Sequence, residues 1–423
     1  MAKNRGWGVT FSGTGINLAL GILYTWSVFK GAIKASIDKG GPGAFTWDPA
    51  SLNDPYAICC LVFAFAMILA GKCQDKFGPR VTAFVGGILV SLGLILISLT
   101  TSYAVWVIGF GLLAGTGIGF GYSAATPPAL KWFPPQRTGL IAGLVVSGFG
   151  LASVYIAPLS QYLLKLWGIQ SSMLFFGIAF LVVVCGLSLF LVNPPAGYVP
   201  QAAAPKAGQQ AAAPKPQIDA KPSEMMKTGS FYLIWLIYFI GAGAGLMVIG
   251  SVAGMAQKSM GEYAFIAVAI LAIGNAGGRI IAGIISDKIG RYLTLIIMLL
   301  FQTVLMLIAI LVVGAQKASP ILVVVIATFM GFCYGTNLSL FPSLTKDNWG
   351  LKNFGINYGL VFTAWGVGGF VMGRLSQMLI AGTGKYTSSF LTAAVLLVIG
   401  AILSMVMKGK KSAPQAVALK QPA

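Results

Sequence analysis

The sequence predicts an all-α membrane protein: twelve transmembrane helices in two pseudo-symmetric six-helix bundles. Three observations carry that expectation. Of 423 residues, 57% are hydrophobic and 9% charged, against about 25% charged in an ordinary soluble domain, which excludes a water-soluble globular chain. The apolar residues are gathered into twelve uninterrupted runs, each near the ~20 residues needed to cross a bilayer's hydrocarbon core. The loop pattern of the first six runs also returns in the last six at one constant spacing.

Taken in order, Lys3 and Arg5 precede the first run, 7–29, which lacks a small-residue cleavage site and is expected to stay as an uncleaved span. Lys30, Lys34 and Lys39 follow it. The second run, 55–72, and the third, 81–100, are separated by Lys72, Lys76 and Arg80. The fourth, 104–128, ends before Lys131 and Arg137; the fifth, 139–163, ends before Lys165; the sixth is 171–192. From 193 to 228 the composition changes: Pro194, Pro195, Pro200, Pro205, Pro214, Pro216 and Pro222 alternate with Ala, Gln and Lys. Such a segment cannot bury a core and reads as a linker. Runs seven to twelve lie at 231–256, 262–285, 292–314, 320–343, 354–379 and 386–407. The expected organisation is therefore a first bundle over 1–192, a cytoplasmic linker over 193–228, a second bundle over 229–408 and a tail over 409–423. The 55 glycines fit this class, because small residues let helices approach closely in lipid. Runs such as Gly115-Thr116-Gly117-Ile118-Gly119 lie inside a span and read as packing surfaces, not phosphate loops.

The net charge of +19 comes from basic residues in short loops, so it reads as membrane orientation and no nucleic-acid partner is expected. With both termini in the cytoplasm, nineteen of the 28 Lys and Arg fall on that side. Seven fall on the other: Lys30, Lys34, Lys39, Lys165, Lys258, Lys317 and Lys385. Two, Arg279 and Arg374, lie within spans. The five cysteines have no CxxC spacing and there is no His, so neither a metal site, a cofactor site nor a disulfide framework is expected.

Gly71, Asp75, Lys76 and Gly78 after span two map onto Gly283, Asp287, Lys288 and Gly290 after span eight at an offset of 212. The same offset carries Phe120 and Tyr122 onto Phe332 and Tyr334. Two separated agreements at one offset indicate a duplicated six-helix unit, with a substrate path expected between the halves. The repeated G-x-x-x-D-x-x-G loop resembles the loop signature of the major facilitator superfamily. In it, Asp75 and Asp287 are placed to cap a neighbouring helix or to pair with Arg80 and Arg291, as gating elements. Three further stretches are similar to the monocarboxylate transporters, most of all to their bacterial oxalate-formate antiporter-like branch. They are Leu20 to Phe29 (LGILYTWSVF), Lys131 to Leu140 (KWFPPQRTGL), and Lys352 to Gly359 (KNFGINYG) with Phe362-Thr363-Ala364.

Arg279 lies eight residues before Asp287, roughly 12 Å inside the cytoplasmic end of span eight at 1.5 Å per residue, and Asn275 sits one turn nearer the centre on the same face. A charged side chain at that depth is a binding-site candidate, since a guanidinium grips a carboxylate with paired charge-assisted hydrogen bonds. The alternative is an Arg held by backbone carbonyls or snorkelling. The resemblance implies a substrate-binding Arg at this point. It also implies a second cation in span eleven that this chain lacks over 353–373, so a monocarboxylate is expected in place of oxalate; Arg374 lies towards the outer end. Tyr122 and Tyr334 offer hydroxyls at symmetric depths, each equally compatible with packing. Tyr24 and Asn17 on span one complete the candidates.

None of Asp38, Asp48, Asp54, Asp75, Asp219, Glu224, Glu262, Asp287 and Asp347 falls mid-span. The expected reading is secondary transport of a small monocarboxylate of the lactate and pyruvate class, with the substrate carboxylate itself carrying the proton. Carboxylate exchange without a proton and another superfamily transporter, such as a drug exporter, are the alternatives. No enzyme is expected, for want of His, paired central carboxylates or a Ser-Lys pair. A monomer working in a bacterial inner membrane is the expected unit.

Overall fold

The computed structural model describes residues 5–200, 219–260, 264–314, 319–383 and 385–412. Twelve long helices run through them. They are α1 (Gly6–Lys39), α2 (Asp54–Phe77), α3 (Pro79–Ser98), α4 (Tyr103–Trp132), α5 (138–167), α6 (169–188), α7 (Gly229–Met260), α8 (Ala264–Ile289), α9 (Arg291–Gly314), α10 (Pro320–Trp349), α11 (Phe354–Thr383) and α12 (Thr387–Ser412). Eleven continuous helical stretches are long and apolar enough to cross a membrane, and the longest, Pro135–Ser188, contains two crossings. Backbone hydrogen bonding continues through both, but Gly168 at φ 75° and ψ −177° breaks the axis, a conformation that other L-residues adopt only at a cost.

The helices are longer than the apolar runs that announced them. α1 continues to Lys39 through a 3-10 stretch, Gly21–Thr25, and α10 continues to Trp349 with Lys346 inside it. Hydropathy measures the thickness of the apolar slab, whereas backbone hydrogen bonding carries on into the aqueous layer. Residues Val107–Ala114 of α4 wind as π-helix. Predicted linker residues 201–218, tail residues 413–423, and residues 262 and 263 at the start of the eighth predicted span lie outside the described residues.

Proline at the first turn starts α2, α3 and α10, where its missing N–H costs nothing. Gly78 (φ 86°) and Gly290 (φ 93°) end α2 and α8 at equivalent points of the two halves. Large apolar side chains such as Leu69, Val182, Leu311 and Ile321 are exposed on the outer surface, the face that meets acyl chains.

The halves meet along two seams, α2 against α11 and α5 against α8. Both seams are built from glycine. A Cβ on Gly71 or Gly359 would collide with the backbone of Gly355 or Met67, and one on Gly139 or Gly143 with that of Gly283 or Arg279. Backbone thus touches backbone at matched positions, α2 with α11 repeating α8 with α5. The face that carries the α2–α3 and α8–α9 turns and the segment joining the halves is called here the linker face.

Candidate functional site

Arg279 is fully buried, at 0% exposure, and is the one charged side chain so placed among the described residues. Its Nε donates to Asn275 Oδ1 at 3.0 Å, one turn back on α8. Its Nη1 crosses the seam and donates to the Val146 carbonyl of α5. Nη2 has no hydrogen-bond partner, and no ion pair reaches the guanidinium among the described residues. A buried cation without an acid, holding a free N–H pair, is costly unless an anion completes it.

Above the guanidinium, counting from the linker face, three ring groups form a chain across both halves. The Trp365 indole N–H of α11 donates to the Tyr334 hydroxyl of α10 at 2.8 Å, and that hydroxyl lies 2.8 Å from the Tyr24 hydroxyl in the 3-10 stretch of α1. An indole N–H only donates, so Tyr334 oxygen accepts from it and shares one proton with Tyr24. The hydroxyls of Tyr24, Tyr122 and Tyr334 are all within electrostatic reach of Arg279.

Tyr122, the predicted symmetric partner of Tyr334, is placed differently. Its ring packs against Phe63 and Phe149 at 5.4 Å and against Phe362 at 5.4 Å, and its hydroxyl has no partner among the described residues. Asn17 is fully buried and donates to the Val145 carbonyl at 2.8 Å, next to the carbonyl that Arg279 takes. It therefore pins α1 to α5 through Nδ2, while its Oδ1 has no hydrogen-bond partner among the described residues. Arg374 is exposed, so the structure does not bring it to Arg279.

The gating candidates close the linker face. Asp75 of α2 accepts the N–H groups of Gly355 (3.1 Å) and Ile356 (3.0 Å) at the start of α11. Asp287 of α8 accepts those of Gly139 (2.8 Å) and Leu140 (3.0 Å) at the start of α5. Each carboxylate thus caps the first turn of a helix in the other half, where free N–H groups and the helix dipole favour an anion. Arg291 pairs with Asp287 at 2.5 Å and with Asp347 at 3.0 Å. Arg80 is exposed and makes no ion pair among the described residues, so the Arg–Asp pair exists in one copy of the loop and the cap in both.

A model of the Major Facilitator Superfamily matches residues 7–373 and, in a second overlapping match, 234–422. The chain belongs to the major facilitator superfamily. Among curated proteins it is 28% identical over 370 residues to the uncharacterized MFS-type transporter YhjX of Escherichia coli (strain K12), covering 85% of each chain. It is 27% identical over 398 residues to the oxalate:formate antiporter of Oxalobacter formigenes (92% of this chain, 88% of that one). It is 27% identical over 386 residues to monocarboxylate transporter 13 of Rattus norvegicus (90% and 84%). Among solved structures, the crystal structure of the superfamily transporter FucP in the outward conformation superposes with a TM-score of 0.65 at 15% identity, covering 92% of this chain and 98% of that chain. This is a multi-pass integral membrane transporter, not an enzyme.

Within this superfamily fold, the site also uses residues that sequence reasoning missed: Trp365, Phe63, Phe149, Phe362 and the Val146 carbonyl. A signal for them existed. Residues 139–150, GLIAGLVVSGFG, repeat in 355–366, GINYGLVFTAWG, at an offset of 216. That register pairs Phe149 with Trp365 and Gly143 with Gly359, while the 212 register pairs Phe63 with Asn275 and Met67 with Arg279. At three of these pairs the first half carries an apolar side chain, Phe63, Met67 or Phe149, where the second carries a hydrogen-bonding one, Asn275, Arg279 or Trp365.

Proposed function

We propose that the chain carries a small monocarboxylate of the lactate and pyruvate class across the membrane by alternating access, with a proton. The observation that supports this most is Arg279, buried, unpaired by any acid among the described residues and with Nη2 unused, within electrostatic reach of Tyr122, whose ring packs with Phe63, Phe149 and Phe362. One cation matches one carboxylate, and an aromatic cluster matches a short apolar tail. In this reading Nη2 and the Tyr24 hydroxyl donate to the carboxylate, Asn275 holds the guanidinium plane, and Tyr334 and Trp365 orient Tyr24. Two of the relatives, an oxalate:formate antiporter and a monocarboxylate transporter, agree with a carboxylate cargo.

No acid lies mid-span to carry a proton, so the cargo carboxylate takes it up and crosses as the neutral acid. The same observation favours a second reading, carboxylate exchange in which one anion replaces another on Arg279. The excess of basic residues on the linker face supports a cytoplasmic placement of that face and both termini in a bacterial inner membrane.

Uptake of radiolabelled L-lactate into proteoliposomes, with and without an inward proton gradient, tests both readings with wild type and Arg279→Ala. Gradient-stimulated uptake lost in the variant supports symport. Uptake that needs internal carboxylate and ignores the gradient supports exchange, and no carboxylate uptake by wild type overturns both.

A further inference from the structure

The segment joining the halves is docked at both ends on the loops that lead into α5 and α11. At the first end the Trp132 indole N–H, from the last residue of α4, donates to the Val192 carbonyl at 2.8 Å, and the rings of Trp132 and Tyr198 meet edge to face at 4.9 Å. The second end is gripped harder. Asp219 Oδ1 accepts the N–H groups of Leu351 and Lys352, both at 3.1 Å. Ala220 donates its N–H to the Trp349 carbonyl at 3.0 Å, and its own carbonyl accepts from Asn353 Nδ2 at 3.2 Å and Asn357 Nδ2 at 3.0 Å.

Three residues beyond Lys352 begin the two N–H groups that Asp75 caps from the other half. Two carboxylates, one from the joining segment and one across the seam, thus hold four N–H groups between positions 351 and 356. Lys131, beside Trp132 in the first half, is within electrostatic reach of both Asp75 and Asp219. Opening the linker face would draw Lys131 away from Asp219 as well as breaking the Asp75 cap. Leaving Asp219 undocked would instead strand the Leu351 and Lys352 N–H groups and loosen the loop that aims Gly355 and Ile356 at Asp75. The equivalent clamp, Asp287 on Gly139 and Leu140, has no such second carboxylate from the joining segment among the described residues, so the device is one-sided.

We infer that Asp219 and Ala220 form a strap that stabilises the closed linker face, so that undocking it biases the transporter towards opening there. This is independent of which solute the chain carries.

Hydrogen–deuterium exchange by mass spectrometry on the full chain in lipid nanodiscs, without solute, tests it. Asp219→Ala should speed exchange about tenfold in peptides covering 349–358 and also in those covering 137–142 on the opposite clamp, with α3 unchanged. Lys131→Gln, which keeps the strap's hydrogen bonds and removes a first-half charge within electrostatic reach of Asp75 and Asp219, should speed the same two regions by a smaller factor. Acceleration confined to 349–353 in Asp219→Ala, or none at 137–142 in either variant, overturns the inference by making the strap a local loop cap. Should Asp219→Ala also loosen α3, the Lys131→Gln profile decides alone.

Discussion

Gly143→Ala is the perturbation that most directly joins the seam to the site. A Cβ there would fall well inside 3.0 Å of the Arg279 carbonyl oxygen and 3.1 Å from Ile280 Cα. Both are backbone atoms, so no side chain can swing aside, and α5 and α8 must part by about 1 Å, an overpacking cost of about 1–3 kcal/mol. Gly359→Ala in the other seam is the matched comparison, since its Cβ would lie 2.5 Å from the Met67 carbonyl oxygen and 3.0 Å from Ile68 Cα. Steric cost is then similar, but only Gly143→Ala displaces the helix segment that carries Arg279 and lengthens its bond to Val146. A displacement near 1 Å at a positioned group costs up to about 100-fold. Gly277→Ala, two residues from Arg279 on the same helix, meets nothing within 4 Å and serves as control. Thermal unfolding in detergent and lactate uptake in proteoliposomes separate the effects. Expected are similar falls in Tm for Gly143→Ala and Gly359→Ala, a KM rise of at least about tenfold for Gly143→Ala alone, and wild-type values of both for Gly277→Ala. A Gly143→Ala protein with wild-type KM, or a Gly359→Ala protein with the same KM defect, refutes the assignment of the seam as the support of Arg279.

Arg279→Lys keeps the charge but cannot reach Asn275, Val146 and an anion together, and loss of one charge-assisted bond, about 1.5–3 kcal/mol, should raise the KM for lactate by about 10- to 100-fold in the same uptake assay. Trp365→Phe removes the donor that fixes Tyr334 while keeping an aromatic ring; at about 1 kcal/mol for a neutral hydrogen bond it should weaken uptake about fivefold with Tm little changed. Gly168→Ala forces a Cβ into φ 75°, costing about 1–2 kcal/mol; Tm should fall while KM stays that of wild type, because Gly168 lies between α5 and α6 away from Arg279.

The fold was legible because lipid imposes a simple rule: each crossing must be a long apolar helix, and twelve such runs stand out. Arg279 and Asn275 were legible for the same reason, since a cation and an amide at one-turn spacing inside an apolar run are conspicuous. The caps by Asp75 and Asp287 were half-legible. The loop repeat located the carboxylates and left open whether a cap or an ion pair used them; the structure gives the cap to both and the pair only to Arg291. The aromatic cluster was marked only by the two repeat registers, because Phe63, Phe149 and Phe362 otherwise stand among 26 phenylalanines with no polar atom to distinguish them. Asn17 shows the converse limit. A polar group inside a span announces that something satisfies it, but not what: the Asn17 Nδ2 goes to the Val145 carbonyl, and its Oδ1 has no hydrogen-bond partner among the described residues.

On the proposed function, the divergence of the two halves places binding and the seam between the halves on a single residue. In the ancestral duplication pattern, Met67 and Arg279 occupy the same place, each with its backbone against a glycine of the opposite half, Gly359 and Gly143. Met67 keeps only that packing role. Arg279 keeps the packing role through its carbonyl and adds a side chain that spends Nη1 on Val146 across the seam and leaves Nη2 without a hydrogen-bond partner among the described residues. The guanidinium therefore belongs to the second half and is tethered to the first. Any separation of α5 from α8 at the linker face must lengthen the Val146 bond and let water reach a charge that is otherwise buried. The seam and the guanidinium are thus coupled through one arginine standing where its repeat partner is a methionine.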